Sequence, residues 1–519
     1  MMMTGKPSLR AAMNPLRWFL GGSVQGDLAN GLVPSVVLGG PGASRDPATG
    51  KIPAAVPGMA ATAKAVEPSM TVSRASSFNA LERFYVTRPF TLSRERLQVE
   101  VAEMAADAFG RDANYSHIKD LIERLFLGNS IEMPQVLDQQ GEVFVENLKR
   151  TLGLRFPQAG TSPRPRQIIA SPPVEDFLAA DEADWTPMRL ANFALQLAIP
   201  PTRRAAVVTS VRNEGVAILE WLAHHRSLGF DAFFIYTNDN TDGSDELLRR
   251  LAQLGIITLI RNSVSDGTRI QKKVFEHSLH LLPELRQFSW VFYIDVDEFF
   301  VSRCEPTLDM NGFFARLSKR FGDETPSAVS FNWKWFGSEN EYRMTDGLVA
   351  ERFIYSIHNK HVKSLVKLSD VLSMSNIHYP TLFPGTFCVD SELEPVVPAL
   401  FLKPTYGSGQ LNHYWNKSFE EFAIKRARGR ISSGISSPTL DFSSFFDWGA
   451  NDERGNFDPP NSRVISRMKR DYQSLLALPG IEEELANIRK RTKEIIRRLE
   501  QEIDLKAVYG RRGRISDES

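Results

Sequence analysis

Three acidic side chains follow an apolar run near the middle of the chain. Residues 290–294 are aromatic or β-branched, and Asp295, Asp297 and Glu298 come directly after them. A continuous apolar run of this length is typical of a strand that is buried on both faces. If the segment stays extended, Asp295 and Asp297 point to the same side, because side chains alternate along a strand.

Two carboxylates that converge in this way repel each other unless a cation lies between them. Mg²⁺ and Mn²⁺ prefer oxygen ligands, commonly one or two carboxylates together with substrate phosphates. The acids therefore indicate a divalent-cation site. A bare Asp-x-Asp also occurs by chance, and a strand that ends in solvated acids is the alternative interpretation. The elements upstream favour the cation site.

Strand and helix patterns alternate before the acids. Apolar runs predict strands over 205–209, 232–236 and 256–260, and helical spacing predicts helices over 218–225, 246–254 and 271–282. The order β-α-β-α-β-α-β implies a parallel sheet with right-handed crossovers. The fold class is therefore α/β, and its ligand crevice lies at the carboxyl ends of the strands.

Polar segments follow three of these strands, and all three meet at that edge of the sheet. They are residues 209–214 (Thr-Ser-Val-Arg-Asn-Glu), 238–243 (Asn-Asp-Asn-Thr-Asp-Gly) and the acids themselves. Loops at this edge can recognise a base and a ribose, and a cation at the acids can hold a diphosphate. The chain has neither Gly-x-Gly-x-x-Gly nor Gly-x-x-x-x-Gly-Lys-Ser/Thr, which weakens dinucleotide and P-loop interpretations.

The composition divides the chain into five segments. Residues 1–77 are rich in Gly, Pro, Ala and Ser and predict a disordered or low-order segment, 78–156 a helical region, and 157–200 a Pro-rich linker. Residues 201–430 form the α/β domain, and 431–519 a loop with a charged C-terminal helix. The heptad spacing of that helix suits packing on the protein's own core or a homodimer.

Charge and cysteine content exclude several function classes. The 62 basic residues balance the 62 acidic ones, which argues against bulk binding to nucleic acid. The two cysteines make neither a disulfide framework nor a zinc-ligand set and fit a reducing compartment. No apolar stretch reaches the roughly 18 residues of a membrane span. We expect a cytoplasmic protein, with peripheral membrane contact left open.

Four segments together resemble the family-2-like glycosyltransferases of the GT-A fold. They are 208–214 (Val-Thr-Ser-Val-Arg-Asn-Glu), 238–244 (Asn-Asp-Asn-Thr-Asp-Gly-Ser), 293–300 (Tyr-Ile-Asp-Val-Asp-Glu-Phe-Phe) and 412–422 (Asn-His-Tyr-Trp-Asn-Lys-Ser-Phe-Glu-Glu-Phe). The resemblance covers about 204–430 and is greatest to the branch with an Asp-x-Asp-Glu-Phe metal motif. It implies a GT-A-like, Rossmann-like and mostly parallel sheet with flanking helices.

The resemblance also implies a role for individual residues. Asp297 would ligate Mn²⁺ or Mg²⁺ directly, Asp295 would touch the ribose or reach the metal through water, and His378 or His413 would complete the metal shell. The nucleotide-sugar would contact Ser210, Arg212, Asn213, Glu214, Asp239, Gln271, Lys272 and Asp295.

Each of these residues has a structural alternative. Asp239 could simply form a turn, since Asp favours such positions. Gln271 and Lys272 could be a solvated first helical turn. His378 could hold a loop, and His413 could be a packed core histidine. Lysines near the end of a later predicted strand, Lys360, Lys363 and Lys367, could neutralise a diphosphate or form a solvated face.

The resemblance implies transfer of a sugar from a nucleotide-diphosphate sugar, with UDP as the expected nucleotide, to a hydroxyl of a glycan, lipid or other acceptor with inversion. The cation would stabilise the leaving diphosphate, and a carboxylate would deprotonate the acceptor. Glu339 is the candidate base, although the family's Glu-Asp pair and its Gln-x-x-Arg-Trp motif are missing. A non-catalytic carbohydrate- or partner-binding protein and a Mg²⁺-dependent nucleotidyltransferase remain the alternatives.

Overall fold

The computed structural model describes residues 167–170, 201–262, 269–374, 376–382, 386–428, 442–447 and 455–510. The predictions for residues 1–77 and 78–156 lie outside these ranges, as does most of the predicted linker. Inside the linker, residues Gln167–Ala170 form a strand that pairs in parallel with the strand Thr258–Asn262.

Within the described ranges, twelve strands join in one sheet and two more form a separate antiparallel pair. In chain order the strands are β1 (Gln167–Ala170), β2 (Arg203–Val211), β3 (Ala232–Thr237), β4 (Thr258–Asn262), β5 (Phe288–Tyr293), β6 (Glu298–Ser302), β7 (Ala328–Phe336), β8 (Tyr355–Lys367), β9 (Val371–Ser373), β10 (Thr381–Leu382), β11 (Cys388–Val389), β12 (Pro395–Val396), β13 (Gly409–His413) and β14 (Asn456–Phe457). The separate pair is β9 and β10.

The helices lie between these strands and after them. In chain order they are α1 (Gly215–Ser227), α2 (Ser244–Gln253), α3 (Ile270–Leu281), α4 (Met310–Phe321), α5 (Val349–Arg352), α6 (Phe419–Ala427), α7 (Ser443–Asp447), α8 (Ser462–Leu476), α9 (Ile481–Glu502) and α10 (Leu505–Gly510), with short 3₁₀ turns at Pro283–Gln287 and Leu368–Asp370. None of the helices in the described ranges has both the length and the apolar character that crossing a bilayer requires.

The first half of the sheet is parallel and runs β1-β4-β3-β2-β5. The chain moves outward from β2 to β3 and β4, and then returns to the other side of β2 with β5. Val208 of β2 therefore lies between Phe234 of β3 and Tyr293 of β5. The predicted α/β class with flanking helices is confirmed. The reversal of strand order places a crevice at the carboxyl ends of β2 and β5, where open α/β sheets bind ligands.

The second half of the sheet is mixed. The strand β8 runs antiparallel between β5 and β7, and β13 pairs in parallel with β7 and antiparallel with β6. This arrangement curls the sheet back, so that β6 and β13 lie next to the crevice. The patterns over 328–333 and 362–368 predict strands there, as observed in β7 and β8, but the sequence gives no sign of this pairing.

The acids do not lie on one extended strand, which corrects the prediction for residues 290–301. β5 ends at Tyr293, and β6 begins at Glu298 and pairs with β13 instead. Asp295 and Asp297 occupy the turn between them. Glu298 closes this turn, because its Oε2 accepts a hydrogen bond from Asp295 N (2.9 Å) and its backbone N donates to Asp295 O (3.1 Å). Strand alternation therefore does not set the direction of the two carboxylates.

The C-terminal helix packs on the protein's own core. The face of α9 that carries Ile481, Leu485 and Ile488 is buried in the main hydrophobic core. Ile488 approaches Gly215 so closely that a Cβ there would lie 2.9 Å from Ile488 Cγ2, so the contact needs glycine at the start of α1. The observed packing supports the first of the two interpretations of the heptad pattern, and the homodimer remains a prediction.

Candidate active site

The turn between β5 and β6 presents Asp295 to two side chains from other elements. Gln271 Nε2, in the first turn of α3, donates to Asp295 Oδ1 at 2.7 Å, and Lys363 Nζ of β8 lies 3.2 Å from Asp295 Oδ2. Lys363 is fully buried, and burial lowers its pKa, but Asp295 and Glu298 together raise it above its ordinary value. Lys363 therefore carries a positive charge beneath the turn and is not part of a solvated face.

Asp297 lies deeper, with 6% of its surface exposed. Lys425 Nζ is 2.5 Å from Asp297 Oδ2, and His413 Nε2 is 3.6 Å from Asp297 Oδ1. Burial alone would raise the pKa of Asp297, but the charges of Lys425, His413 and Lys417 hold it well below its ordinary value. Asp297 is therefore ionised at neutral pH, and the two acids of the motif have different partners.

The helix α6 brings Lys425 to this turn and Arg428 to the loop after β2. Ser418 and Glu421 form a capping box that fixes the start of α6. Lys425 and Arg428 are three positions apart, so they project from the same side at its end. Arg428 Nη2 forms an ion pair with Glu214 Oε1, and Lys417 Nζ lies 3.9 Å from Glu214 Oε2.

The loop after β2 is held in a defined shape. Asn213 has φ of 52°, its N donates to Asn240 Oδ1 (2.7 Å), and its Oδ1 accepts from Thr241 N (2.7 Å). Burial would raise the pKa of Glu214, but Arg428 and Lys417 lower it overall. Both predicted residues therefore lie at the crevice, next to the loop that follows β3.

The remaining residues predicted to bind the nucleotide are spread along the same edge. Asp239 is exposed, with φ of 49°, and its Oδ2 accepts from Asn238 Nδ2 at 3.0 Å, which is the geometry of a turn residue. Ser210 is buried, and its Oγ has no hydrogen-bond partner within the described ranges. Arg212 O accepts from Arg428, and Lys272 is half-buried in the first turn of α3.

The two candidate histidines have different surroundings. His413 packs on Trp333, with ring centroids 4.2 Å apart, and points its Nε2 to Asp297. His378 shares its Nδ1 in a hydrogen bond with Val362 O at 2.9 Å. Burial and the charge of Lys363 lower the pKa of His378 to about 3. The structure therefore brings His413 to the acid, whereas His378 holds a loop against β8.

Glu339, which is predicted as the base, lies in the loop after β7 and binds backbone N–H groups. Its Oε1 accepts hydrogen bonds from Ile354 N and Tyr355 N, both at 2.8 Å, at the start of β8. The residue itself is in the left-handed region, with φ of 48°. A carboxylate that binds two backbone N–H groups anchors a turn and is poorly placed to take a proton from an acceptor.

The cleft beside Asp297 combines strand ends, α6 and α9. Its wall includes Glu214 after β2, the cations Lys417, Lys425 and Arg428, and Thr492 of α9. The lining also includes the acids Asp242 and Glu421, and each of the three cations lies next to an acid: Lys417 and Arg428 next to Glu214, and Lys425 next to Asp297. Within the described ranges, no three His, Cys, Asp or Glu side chains converge closely enough to hold a metal by themselves.

The sequence gives little sign that Lys417, Lys425 and Arg428 are site residues. The only local signal is the capping box at Ser418 followed by a basic helix end, and basic residues are common in the last turn of any helix. Lys425 and Asp297 are 128 positions apart, so no spacing rule connects them.

Comparisons with known proteins point to one enzyme class. Residues 211–432 match the model of glycosyltransferase family 92. A family 92 protein of Ricinus communis is 32% identical over 94 residues, which are 18% of this chain and 16% of that protein. A family 92 protein of Oryza sativa subsp. japonica is 29% identical over 93 residues (18% and 15%). One of Arabidopsis thaliana is 30% identical over 94 residues (18% and 16%).

These matches span about a sixth of the length of the curated relatives. The family-model match covers every described element from the end of β2 to the end of α6. It therefore includes Asp295, Asp297 and the side chains described above that contact them. The comparisons name family 92 where the sequence analysis expected a family-2-like enzyme. At the level of the enzyme class, they support the prediction that the chain is a glycosyltransferase.

Proposed function

We propose that the protein transfers a sugar from a nucleoside-diphosphate sugar, with UDP as the nucleotide, to an acceptor hydroxyl with inversion. The observation that carries this proposal is the position of Asp297. It lies at the carboxyl edge of the sheet, next to His413, and pairs with Lys425, which lines a cleft together with Lys417 and Arg428. The family 92 match over the same residues supports the enzyme class.

The side chains at the turn fit a divalent cation that the donor helps to hold. Asp297 Oδ1 and His413 Nε2 are 3.6 Å apart, a separation that lets both bind one ion. A carboxylate with an imidazole suits a first-row cation such as Mn²⁺, and substrate phosphates supply further oxygens. When bound, the ion would stabilise the negative charge that develops on the leaving diphosphate.

The other residues of the site prepare it for a charged ligand. Lys425 neutralises Asp297 and must move from its Oδ2 if a cation is to share that oxygen. Lys417 and Arg428 are the other two cations along the cleft and would face an incoming diphosphate there. Gln271 and Lys363 keep Asp295 oriented at the mouth of the β2–β5 crevice, where a ribose would lie.

The direct test is turnover of donor sugars by the purified full chain. UDP-sugars are incubated with Mn²⁺ or Mg²⁺, and the release of UDP is measured for the wild type, for Asp297→Ala and for the exposed control Asp323→Ala. We expect metal-dependent release that Asp297→Ala abolishes and Asp323→Ala leaves unchanged. Full release by Asp297→Ala would refute the metal assignment. Absence of binding to every nucleotide-sugar would favour a non-catalytic binding protein.

The acceptor is proposed to be a glycan or lipid hydroxyl. A cytoplasmic location, peripheral membrane contact and a homodimer through α9 remain predictions.

A further inference from the structure

The strand β6 follows the acid turn, which comprises residues 294–297, and it has a strand partner on one edge only. Among the strands that the structure describes, β6 pairs with β13, and its other edge faces the helix α1. Glu298 and Phe300 direct backbone groups to that edge, because the N–H and C=O groups of alternate residues point to opposite sides of a strand. Both residues are fully buried, so these groups need partners within the protein.

Three buried side chains of α1 supply these partners, and we call them the α1 clamp. Trp221 Nε1 donates to Glu298 O at 2.9 Å, and His224 Nε2 donates to Phe300 O at 2.6 Å. His225 Nε2 accepts from Phe300 N at 3.2 Å. Positions 221, 224 and 225 lie on one side of a helix. The α1 clamp therefore takes the place that a neighbouring strand would have.

The hydrogen bonds of His225 determine its tautomer. Its Nδ1 lies 2.9 Å from Trp221 O, which can only accept, and its Nε2 lies 3.2 Å from Phe300 N, which can only donate. The proton is therefore on Nδ1, and the ring is neutral. Burial and the neighbouring His224 lower the pKa of His225 well below its ordinary value, in agreement with this tautomer. A substitute for His225 must place an acceptor near the position of Nε2 to keep the contact with Phe300 N.

The first turn of α1 is joined to the loops that follow β2 and β3. Gly215 is the first residue of α1 and follows Glu214, whose carboxylate lies next to two cations of the cleft. Gly215 N also donates to Asp242 Oδ2, in the loop after β3, at 3.0 Å. One helix therefore connects both loops with the strand that begins at Glu298. A helix holds such groups in a more precise position than a loop can.

We infer that Trp221, His224 and His225 are positioning residues, which hold the acid turn in place relative to the loops after β2 and β3. They act through Glu298, whose backbone O binds Trp221 and whose side chain closes the turn at Asp295. The expected effect on turnover rests on the proposed function, whereas the expected effect on the acid turn itself does not.

The test compares substitutions that remove a hydrogen bond of the α1 clamp with one that keeps it. His225→Leu removes the acceptor for Phe300 N, whereas His225→Gln keeps an acceptor oxygen near the position of Nε2. Trp221→Phe removes the donor to Glu298 O and keeps an aromatic ring. Leu475→Ala is the control, because Leu475 of α8 is also buried in the main core. Its truncation lowers the melting temperature without removing a hydrogen bond of β6.

Two quantities are measured on the full chain, below the melting temperatures of all the variants. Mass spectrometry follows the hydrogen exchange of peptides that span 294–302, relative to peptides of β2 in the same variant, so that a general loss of stability cancels. Steady-state kinetics with a nucleotide-sugar and Mn²⁺ give kcat and KM.

We expect His225→Leu and Trp221→Phe to raise the relative exchange rate of 294–302 roughly tenfold, because backbone groups of β6 lose their partners. Both should lower kcat roughly tenfold and leave KM within about twofold, because a displaced acid turn affects the transition state more than donor binding. His225→Gln should return the relative exchange rate and kcat to within about threefold of the wild type. Leu475→Ala should match the wild type in both.

Unchanged relative exchange in either His225→Leu or Trp221→Phe, or failure of His225→Gln to restore it, would overturn the inference. Faster exchange with a wild-type kcat would also overturn it, as would a fall in kcat that Leu475→Ala reproduces. If the wild type turns over no nucleotide-sugar, but relative exchange rises in the first two variants and returns in His225→Gln, the proposed function fails. The positioning of the acid turn by the α1 clamp is then still supported.

Discussion

Two acidic turns of this protein look alike in the sequence and differ in the structure. The turn between β5 and β6 carries Asp295 and Asp297, and the loop after β7 carries Glu339. In the first turn, the carboxylates bind side chains, the ammonium groups of Lys363 and Lys425. In the second, the carboxylate of Glu339 binds backbone N–H groups.

The two kinds of hydrogen-bond partner differ in whether an incoming ligand can displace them from the carboxylate. An ammonium group on a flexible side chain can swing away when a metal or a phosphate arrives, so its carboxylate stays available for binding. A backbone N–H in a strand cannot move without disrupting the sheet. Acids that bind side-chain cations at a sheet edge are therefore candidates for function, whereas acids that bind backbone N–H groups stabilise the fold.

The comparison between the two turns would fail most clearly if Asp297 could be substituted without loss of turnover. If Asp297 binds the proposed cation, we expect Asp297→Asn to reduce sugar transfer roughly a thousandfold, because that cation would contribute several kcal/mol to stabilising the leaving group. The amide is isosteric but leaves the ammonium group of Lys425 without its carboxylate, so the melting temperature should fall as well. Turnover and melting temperature are measured on the same preparation, and near-normal turnover would remove Asp297 from the site.

A second carboxylate that faces the backbone gives a pH test. Glu220 of α1 accepts from Val349 N (2.8 Å) and Ala350 N (3.1 Å), at the start of α5. Burial raises the pKa of Glu220 from 4.5 to about 7, against the effect of these hydrogen bonds. The folded protein therefore binds more protons than the unfolded chain between these pH values.

Protonated Glu220 therefore makes its whole contribution to the free energy of unfolding below pH 4.5, and this contribution is lost as the pH rises to about 7. We expect this group to lower the free energy of unfolding by roughly 3 kcal/mol across that window. Denaturant titrations of the wild type and Glu220→Gln should show a flatter pH dependence in the variant. The exposed control Glu483→Gln should keep the wild-type slope, and an unchanged slope in Glu220→Gln would contradict the assignment.

Lys425 offers a test of the side-chain partners. The substitution Lys425→Met keeps the apolar part of the side chain. It removes the ammonium group that competes with a cation for Asp297 Oδ2. We expect Mn²⁺ to bind the variant roughly tenfold more tightly without donor, because the ion no longer displaces a positive charge. Mn²⁺ titration followed by calorimetry measures this. Weaker or unchanged binding would show that Lys425 does not occupy the position of the cation.

The sequence predicts β2 to β5 of the parallel half of the sheet and the position of the two acids after β5, because both depend on local patterns, whereas β1 lies in the predicted linker. Apolar runs and helical periods set β2 to β5, and Asp295 follows the end of β5 by two residues. It does not predict the turn at Asp295, because the side chain of Glu298 closes that turn only when β6 pairs with β13. It also misses Lys425, whose contact with Asp297 depends on the position of α6 in the folded chain.

Glu339 shows why acids in loops are the least predictable part of a site. An acidic loop after β7 suits a base and suits an anchored turn equally well, and only the partners of the carboxylate distinguish them. The partners here are the N–H groups of Ile354 and Tyr355, which the next strand supplies.

The smallest expected change in turnover belongs to Glu339→Gln. The amide oxygen of Gln can still accept from Ile354 N and Tyr355 N, with weaker hydrogen bonds than a carboxylate makes. We therefore expect turnover to stay within about twofold, while the free energy of unfolding falls by roughly 1 kcal/mol. A catalytic base at this position would instead lose roughly a hundredfold or more in turnover with unchanged stability. Measuring donor turnover and denaturant unfolding on one preparation separates the two outcomes, because each role moves a different quantity.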